Sequence, residues 1–227
     1  MRTIVRGLGE LALTAGLVLA LGVAYLVWGT GDYTRGQQDG LLDQMERRWR
    51  ADRSAAATAT AGSGPARRGA RRGGAARTAR GTAFAIIRVP RFGRSYRYVV
   101  VEGVSPADLR KGPGHYPGTA RPGDIGNMVV SGHRTTYGAP FNRLGELAPG
   151  DEIRIEATAG TYVYRVTGLE IVRPGSIEVT APVRGRPGRA PRRRLLTLTT
   201  CHPKFSAAYR LVVAAEMARF EPGTAGT

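Results

Sequence analysis

The sequence predicts an all-β fold, a closed barrel or a sandwich of about eight strands, and three observations carry that expectation. Eight short apolar or β-branched runs fall within roughly 140 residues after Thr82. Gly, Pro and Asp turns separate them, and no long amphipathic helix interrupts them. The runs are 84–89, 98–101, 127–131, 152–156, 161–166, 170–172, 195–200 and 210–215. Alternation of period two is cleanest at 152–156 and 161–166, as expected of strands with one face inward. One helical turn is expected at 106–111. The folded domain is placed at 82–221, with a short tail at 222–227.

Ahead of it, residues 11–28 carry no charge, and the next charge is Asp32. Eighteen helical residues rise about 27 Å, close to the hydrocarbon thickness of a bilayer. Arg2, Arg6 and the amino terminus precede the run, with Glu10 as a partial offset. Tyr25 and Trp28 stand near its far end, where aromatic rings prefer the interface. The expectation is a transmembrane anchor at 11–31, with 1–10 cytoplasmic and everything beyond Asp32 extracellular. A cleaved signal peptide is the competing reading, since the apolar part is short and preceded by base. The Gly-Thr-Gly-Asp-Tyr that follows Trp28 makes an unconvincing cleavage site. Positive charge at 47–53 weakens the orientation signal without reversing it.

Residues 32–81 read as a basic, low-complexity linker. Within 32–53, Leu41, Leu42, Met45 and Trp49 fall near one face of a helix. A floppy, partly interfacial stalk is the other reading, and both stay open. Residues 55–81 hold Ala, Gly, Thr, Ser and Arg, no acid and only Pro65 as proline. Such a segment buries too little apolar surface to offset its ordering entropy. It reads as a tether, cationic through Arg67, Arg68, Arg71, Arg72, Arg77 and Arg80.

The 227 residues carry a formal charge of +17, almost all from arginine, because Lys111 and Lys204 are the only lysines. High Ala, Gly and Arg is also the mark of a GC-rich coding bias. Basicity of this kind suits nucleic acid, anionic lipid or anionic wall polymer and does not choose among them.

The one cysteine, Cys201, ends the run 194–201 and has no partner for an internal disulfide. It sits where a rigid strand meets a loop headed by Pro203, a favoured place for a nucleophile. Cysteine chemistry needs a thiolate, a proton donor and acceptor, and oxyanion stabilisation. Three histidines are available. His133 lies just past a strand end, as Cys201 does; His202 adjoins the cysteine but points to the opposite face; His115 lies in the Gly-Pro loop 112–118. His133 leads on this reading, with the other two still open. Arg210 returns beside the thiol if its strand pairs antiparallel with 195–200, and its guanidinium there serves an oxyanion. A plain surface arginine is the bland alternative. One Cys and three scattered His lack metal-ligand spacing, so neither a metal nor another cofactor is called for.

Thr197-Leu-Thr-Thr-Cys201, Arg210-Leu211 and Ser131-Gly-His133 together resemble the Thr-Leu-x-Thr-Cys, arginine and histidine signature of sortases, membrane-anchored cysteine transpeptidases of Gram-positive bacteria. The stretches 201–203, 132–141 and 112–118 most resemble the class E sortases of actinobacteria. The resemblance covers about 84–220. It implies an eight-stranded sortase-type β-barrel with short helices, and two-step acyl transfer. Cys201 attacks the Thr–Gly bond of a Leu-Ala-x-Thr-Gly or Leu-Pro-x-Thr-Gly sorting signal on a secreted protein. A peptidoglycan cross-bridge amine or its lipid-linked precursor accepts the acyl group. His133 is implied as general acid and base, and Arg210 as substrate and oxyanion ligand. The resemblance also implies that the reactive form is the minority with thiolate and imidazolium together. Thr200 is expected to shape the site, and Tyr116 and Tyr137 to contact substrate, with Tyr116 favoured for the second motif position. The loop 174–193, crowded by Arg184, Arg186, Arg189, Arg192 and Arg193, is expected to border the substrate groove. Three other readings stand beside this one: a membrane-anchored basic module for anionic wall polymer or nucleic acid, a thiol hydrolase, and a pilin-polymerising sortase. Nucleic acid is not the favoured partner.

Overall fold

The computed structural model describes residues 2–25, 29–61 and 78–223. Trp28, the arginines from Arg67 to Arg77 and the last residues of the tail lie outside the described residues. Eight strands close a barrel in the order β1-β2-β3-β4-β7-β8-β6-β5. They are β1 (Ala83–Arg88), β2 (Arg97–Glu102), β3 (Gly114–His115), β4 (Gly126–Ser131), β5 (Glu152–Ala157), β6 (Gly160–Val172), β7 (Arg194–His202) and β8 (Tyr209–Pro222). Most neighbours are antiparallel; β2–β3 and β4–β7 are parallel.

The strand count matches the sequence expectation, but its composition differs in two places. The runs expected at 161–166 and 170–172 are one strand, β6, paired with β8 from Gly160↔Pro222 to Val172↔Arg210. The sequence predicts a turn between these two runs; the β6–β8 register instead shifts between Val166 and Gly168, which marks a bulge. The eighth strand is instead β3, two residues inside the Gly-Pro loop. It bridges Val101 on one side and Ser131 on the other. Two residues are too few to show any periodicity.

The interior is filled from alternate positions along the strands: Ile87, Val100, Met128, Val130, Ile153, Ile155, Tyr164, Leu196, Leu198 and Val213 are at most 1% exposed. Phe141 and Leu144 close one end of this core from the β4–β5 connection.

Two long helices precede the barrel. Helix α1 (Arg2–Ala24) has no buried residue and is long and apolar enough to cross a membrane. Helix α2 (Thr30–Ala61) resolves the open reading of 32–53 in favour of a helix, and it packs on the barrel. Thr30 and Gly31, placed by the sequence at the end of the anchor, belong to it. Gly36 and Gly40 weaken its intrinsic helicity, so docking must supply much of its stability. Thr30, Thr34, Gln38, Leu41, Met45 and Trp49 recur at helical spacing. Met45 is 1% exposed and joins Leu41, Leu42 and Trp49 against Ala83, Ile86 and Val99. The Gln38 amide completes the backbone beside it: Oε1 accepts from Val99 N–H at 2.6 Å, and Nε2 donates to Val99 O at 3.1 Å and to Lys111 O at 2.7 Å. Gly112, at φ 151°, leaves room for this, since a Cβ there would stand 2.2 Å from Gln38 Nε2.

A single helical turn, α3 (Pro106–Leu109), lies within the turn expected at 106–111. Its capping box is complete, with the Ser105 hydroxyl accepting from Asp108 N–H and the Asp108 carboxylate accepting from Ser105 N–H.

Candidate active site

The strand pattern decides which residues share a face. On β7, Leu196 and Leu198 point inward, so Leu195, Thr197, Thr199 and Cys201 face outward. On β8, Leu211, Val213 and Ala215 point inward, which puts Arg210, Val212 and Ala214 on that same outer face. On β4, Met128 and Val130 are core, leaving Asn127, Val129 and Ser131 outside. The hydrogen bond from Thr197 Oγ1 to Asn127 Oδ1, 2.8 Å, joins two of these outward positions.

Cys201 and Arg210 are register partners in the antiparallel β7–β8 pair. The cysteine is half-buried. The Arg210 guanidinium is bonded to its own hairpin, donating to Ala207 O at 2.9 Å and Tyr209 O at 3.0 Å. His133 comes from the other side. Strands β4 and β7 run parallel through Ser131↔Thr199. Gly132 N–H then donates to Thr199 O at 3.1 Å, and Thr200 Oγ1 donates to Gly132 O at 2.7 Å. His133 follows two residues past the last pair, in the segment that leaves β4 alongside the end of β7. Thr200 is buried, so its part here is to tie down the residue before His133. Gly132 is required by close approach: a Cβ there would lie 2.7 Å from the Phe141 ring.

The His133 ring packs against Tyr137, centroids 5.0 Å apart. Burial pushes its pKa below the ordinary 6.5, and the nearby Arg110 guanidinium lowers it further. Neutral imidazole is therefore favoured at neutral pH. Replacing Arg110 with Gln removes the repulsion while leaving the burial, so the His133 titration midpoint is expected to move up toward 6.5. NMR of the His133 ring protons against pH reads this directly; an unmoved or lowered midpoint contradicts it.

The other two histidines are engaged elsewhere. His115 is 1% exposed, its Nδ1 2.9 Å from Glu102 Oε2 and its Nε2 3.0 Å from Ala120 O. Glu102 also receives Arg121 at 2.9 Å. This is a polar clamp between β2, β3 and the following loop, with both ring nitrogens occupied. His202 Nδ1 lies 2.7 Å from Arg134 Nη1. A guanidinium only donates, so Nδ1 is the acceptor in this contact.

Arg134 and Arg110 are the two residues that sequence reasoning missed. Arg134 is 8% exposed and donates from Nη1 to Cys201 O at 3.1 Å. Burial lowers its pKa, and the nearby Cys201 acts in the opposite sense. The available signal was its place next to His133, masked by the abundance of arginine. Tyr116 follows β3, its N–H donating to Val129 O at 2.9 Å, and is half-buried. Tyr137 touches His133, as above.

A cavity of about 760 Å³ opens on the outer face of β7 and β8, between Leu195, Thr197, Ala214 and Glu216 and the loop before β7. Arg184, Arg186, Arg189, Arg192 and Arg193 all line it. Arg184 pairs with Glu170, and Arg193 with Glu216. The loop is fastened over β4 by Asn127 Nδ2, which donates to Val179 O at 3.0 Å and Ala181 O at 3.1 Å. Thr197, its lining residue nearest the thiol on β7, lies four residues from Cys201, about 13 Å along a strand.

Known proteins share this arrangement. A sortase-domain family profile matches residues 87–218. Sortase SrtE1 of Streptomyces coelicolor is 29% identical over 229 residues, an alignment that takes in 97% of this chain and 59% of that protein. The chain thus spans less than two thirds of that relative. Among solved structures, sortase E from Streptomyces avermitilis is 39% identical with a TM-score of 0.59, covering 66% of this chain and 96% of that one. The SrtF sortase from Corynebacterium diphtheriae is 31% identical with a TM-score of 0.64, covering 68% and 94%. The profile spans more than half of the sequence, the solved structures repeat the barrel, and the chain belongs to the sortase family of cysteine transpeptidases.

Proposed function

We propose that this chain is a membrane-anchored transpeptidase acting on proteins that carry a Leu-Ala-x-Thr-Gly or Leu-Pro-x-Thr-Gly sorting signal. The observation that carries the reading is the placement of Cys201 opposite Arg210, with His133 at the end of the parallel neighbour strand. Cys201 Sγ adds to the threonine carbonyl carbon, and the oxyanion that forms is held by Arg210 once its guanidinium turns from its own hairpin. The C–N bond breaks as His133, in its imidazolium form, protonates the glycine amine. A thioester remains. An incoming wall amine attacks the same carbon, His133 takes its proton, and the thiolate leaves. Because burial and Arg110 both disfavour the imidazolium, the competent ion pair is a minority species at neutral pH.

Helix α1 supports the anchor: it buries no residue and, past Glu10, is apolar, as a lipid-facing segment would be. The amino terminus would lie in the cytoplasm and the barrel outside. The wall acceptor would be a peptidoglycan cross-bridge amine or its lipid-linked precursor. Tyr116, which follows β3, is assigned to the second motif position, and Tyr137 to a contact near His133. The catalytic barrel is proposed at 82–221, and the anchor is proposed to begin at residue 11 and to end before Thr30, which packs against the barrel.

The test is full-length protein in nanodiscs, a Leu-Ala-x-Thr-Gly or Leu-Pro-x-Thr-Gly peptide, and an amine acceptor, with products read by mass spectrometry. Transfer product with the acyl group carried from threonine to the amine is expected. Cleavage without transfer would favour a hydrolase, and no Cys201-dependent cleavage of either peptide would overturn the reading.

A further inference from the structure

We infer that the first turns of α2 belong to the catalytic apparatus, with Thr30 and Thr34 as positioning residues for the loop that carries His133. The inference rests on the transpeptidase reading for its kinetic consequence, though its structural part does not. Thr30 and Thr34 are 4% and 1% exposed, although both lie on a helix that precedes the barrel and is joined to it by a long segment. Thr30 Oγ1 accepts a hydrogen bond from Tyr137 N–H at 3.2 Å, across 107 residues of sequence. Thr34 Oγ1 donates to Arg110 O at 2.9 Å, with Thr30 O at 3.1 Å as its alternative acceptor. One helical face therefore grips two different loops.

Those two loops supply the groups that act on His133. Tyr137 lays its ring against the imidazole, and the Arg110 guanidinium sits 5.7 Å from the centre of the Tyr137 ring. Tyr137 holds φ at 51°, a left-handed conformation that is unfavourable for a bulky residue and persists only where neighbours enforce it. The enforcing contacts are visible. Thr30 takes the Tyr137 amide, Tyr98 Oη donates to Gly138 O at 2.9 Å, and the Thr34 methyl closes on Gly138 so that a Cβ there would lie 3.3 Å away. Remove the Thr30 hydroxyl and the amide of a strained, half-buried residue loses this acceptor. The ring then has less reason to stay against His133. α2 is thus a strap, bound to the barrel by Met45 and Trp49 at one end and closing the histidine loop at the other.

The decisive variant is Thr30→Val in the full chain in nanodiscs, with Thr30→Ser as the version that keeps the hydroxyl. Two readouts are taken. The first is the NMR shift of the His133 ring protons, which the adjacent Tyr137 ring current displaces whether or not the protein turns over. Thr30→Val is expected to move these resonances toward their unstacked positions, and Thr30→Ser to leave them in place. The second is the kinetic split: kcat for transfer falls about tenfold, the worth of one buried hydrogen bond, while KM for the sorting peptide stays within about twofold. Should the valine variant not fold, Thr30→Ala is read in its place. Unchanged His133 resonances in a folded Val or Ala variant overturn the inference, even if no transpeptidation is ever seen. Wild-type stacking with no Cys201-dependent turnover overturns only the proposed function.

Discussion

Cys201→Ala is expected to abolish both cleavage and transfer, with kcat lowered by roughly 10⁴-fold or more. The chain has one cysteine, so no other thiol can take over. An alanine methyl cannot add to a carbonyl, and without addition there is no thioester to divide one hard acyl transfer into two easier ones. What survives is the contribution of Arg210 and of substrate binding, which works only on slow attack by water. The change should cost little structurally, because Cys201 is half-buried at the outward end of β7 and loses a single sulfur atom. Thermal unfolding within about 1 kcal/mol of wild type therefore checks that the loss is chemical. Mass spectrometry of wild-type protein with peptide and no acceptor should show an acyl adduct that the variant lacks. Transfer by Cys201→Ala at a tenth of the wild-type rate would remove the cysteine from the mechanism.

His133→Ala should cost roughly 10²- to 10⁴-fold in kcat, the range for a group that moves a proton in the transition state. The leaving group offers a sharper test than the size of the loss. A glycine amine is expelled only if protonated, whereas a phenolate departs unaided. A sorting-motif ester of an activated phenol should therefore lose far less rate in His133→Ala than the peptide does, when formation of the acyl-enzyme is measured. Equal losses on both substrates would mean that His133 acts by packing and not as an acid. Arg110 belongs to the same balance. It disfavours the protonated form of His133 that the proposed mechanism requires.

How much of this could be read from the residues depended on sequence separation. Cys201 and Arg210 are nine residues apart, so a hairpin sufficed to bring them opposite one another, and the structure pairs them. The proposed partnership of His133 depends on β4 and β7 being parallel, a long-range pairing between segments 68 residues apart that no local pattern announces. For the same reason the sequence left His115 open. Its neighbours Glu102 and Ala120 become a clamp only after β3 has bridged β2 and β4. Gly168 misled because glycine serves bulges and turns equally well. The apolar face of α2 was visible in Leu41, Leu42, Met45 and Trp49; the surface waiting for it, Ala83, Ile86 and Val99, was hidden in strands that also serve the core. Arg134 was lost among the other arginines.

The seat of α2 on the barrel also fixes how far the enzyme can reach. Thr30 touches the histidine loop, and Tyr25, the residue after the end of α1, is five residues away. Five residues stretch to at most about 18 Å, whatever direction α1 takes. With α1 seated in a bilayer, the reactive mouth cannot leave the lipid surface. Residues 62–77 would give no extra range, because they come after the point of attachment. On the proposed function, the search would then be two-dimensional, and peptide donor and amine acceptor would both have to come to the membrane plane.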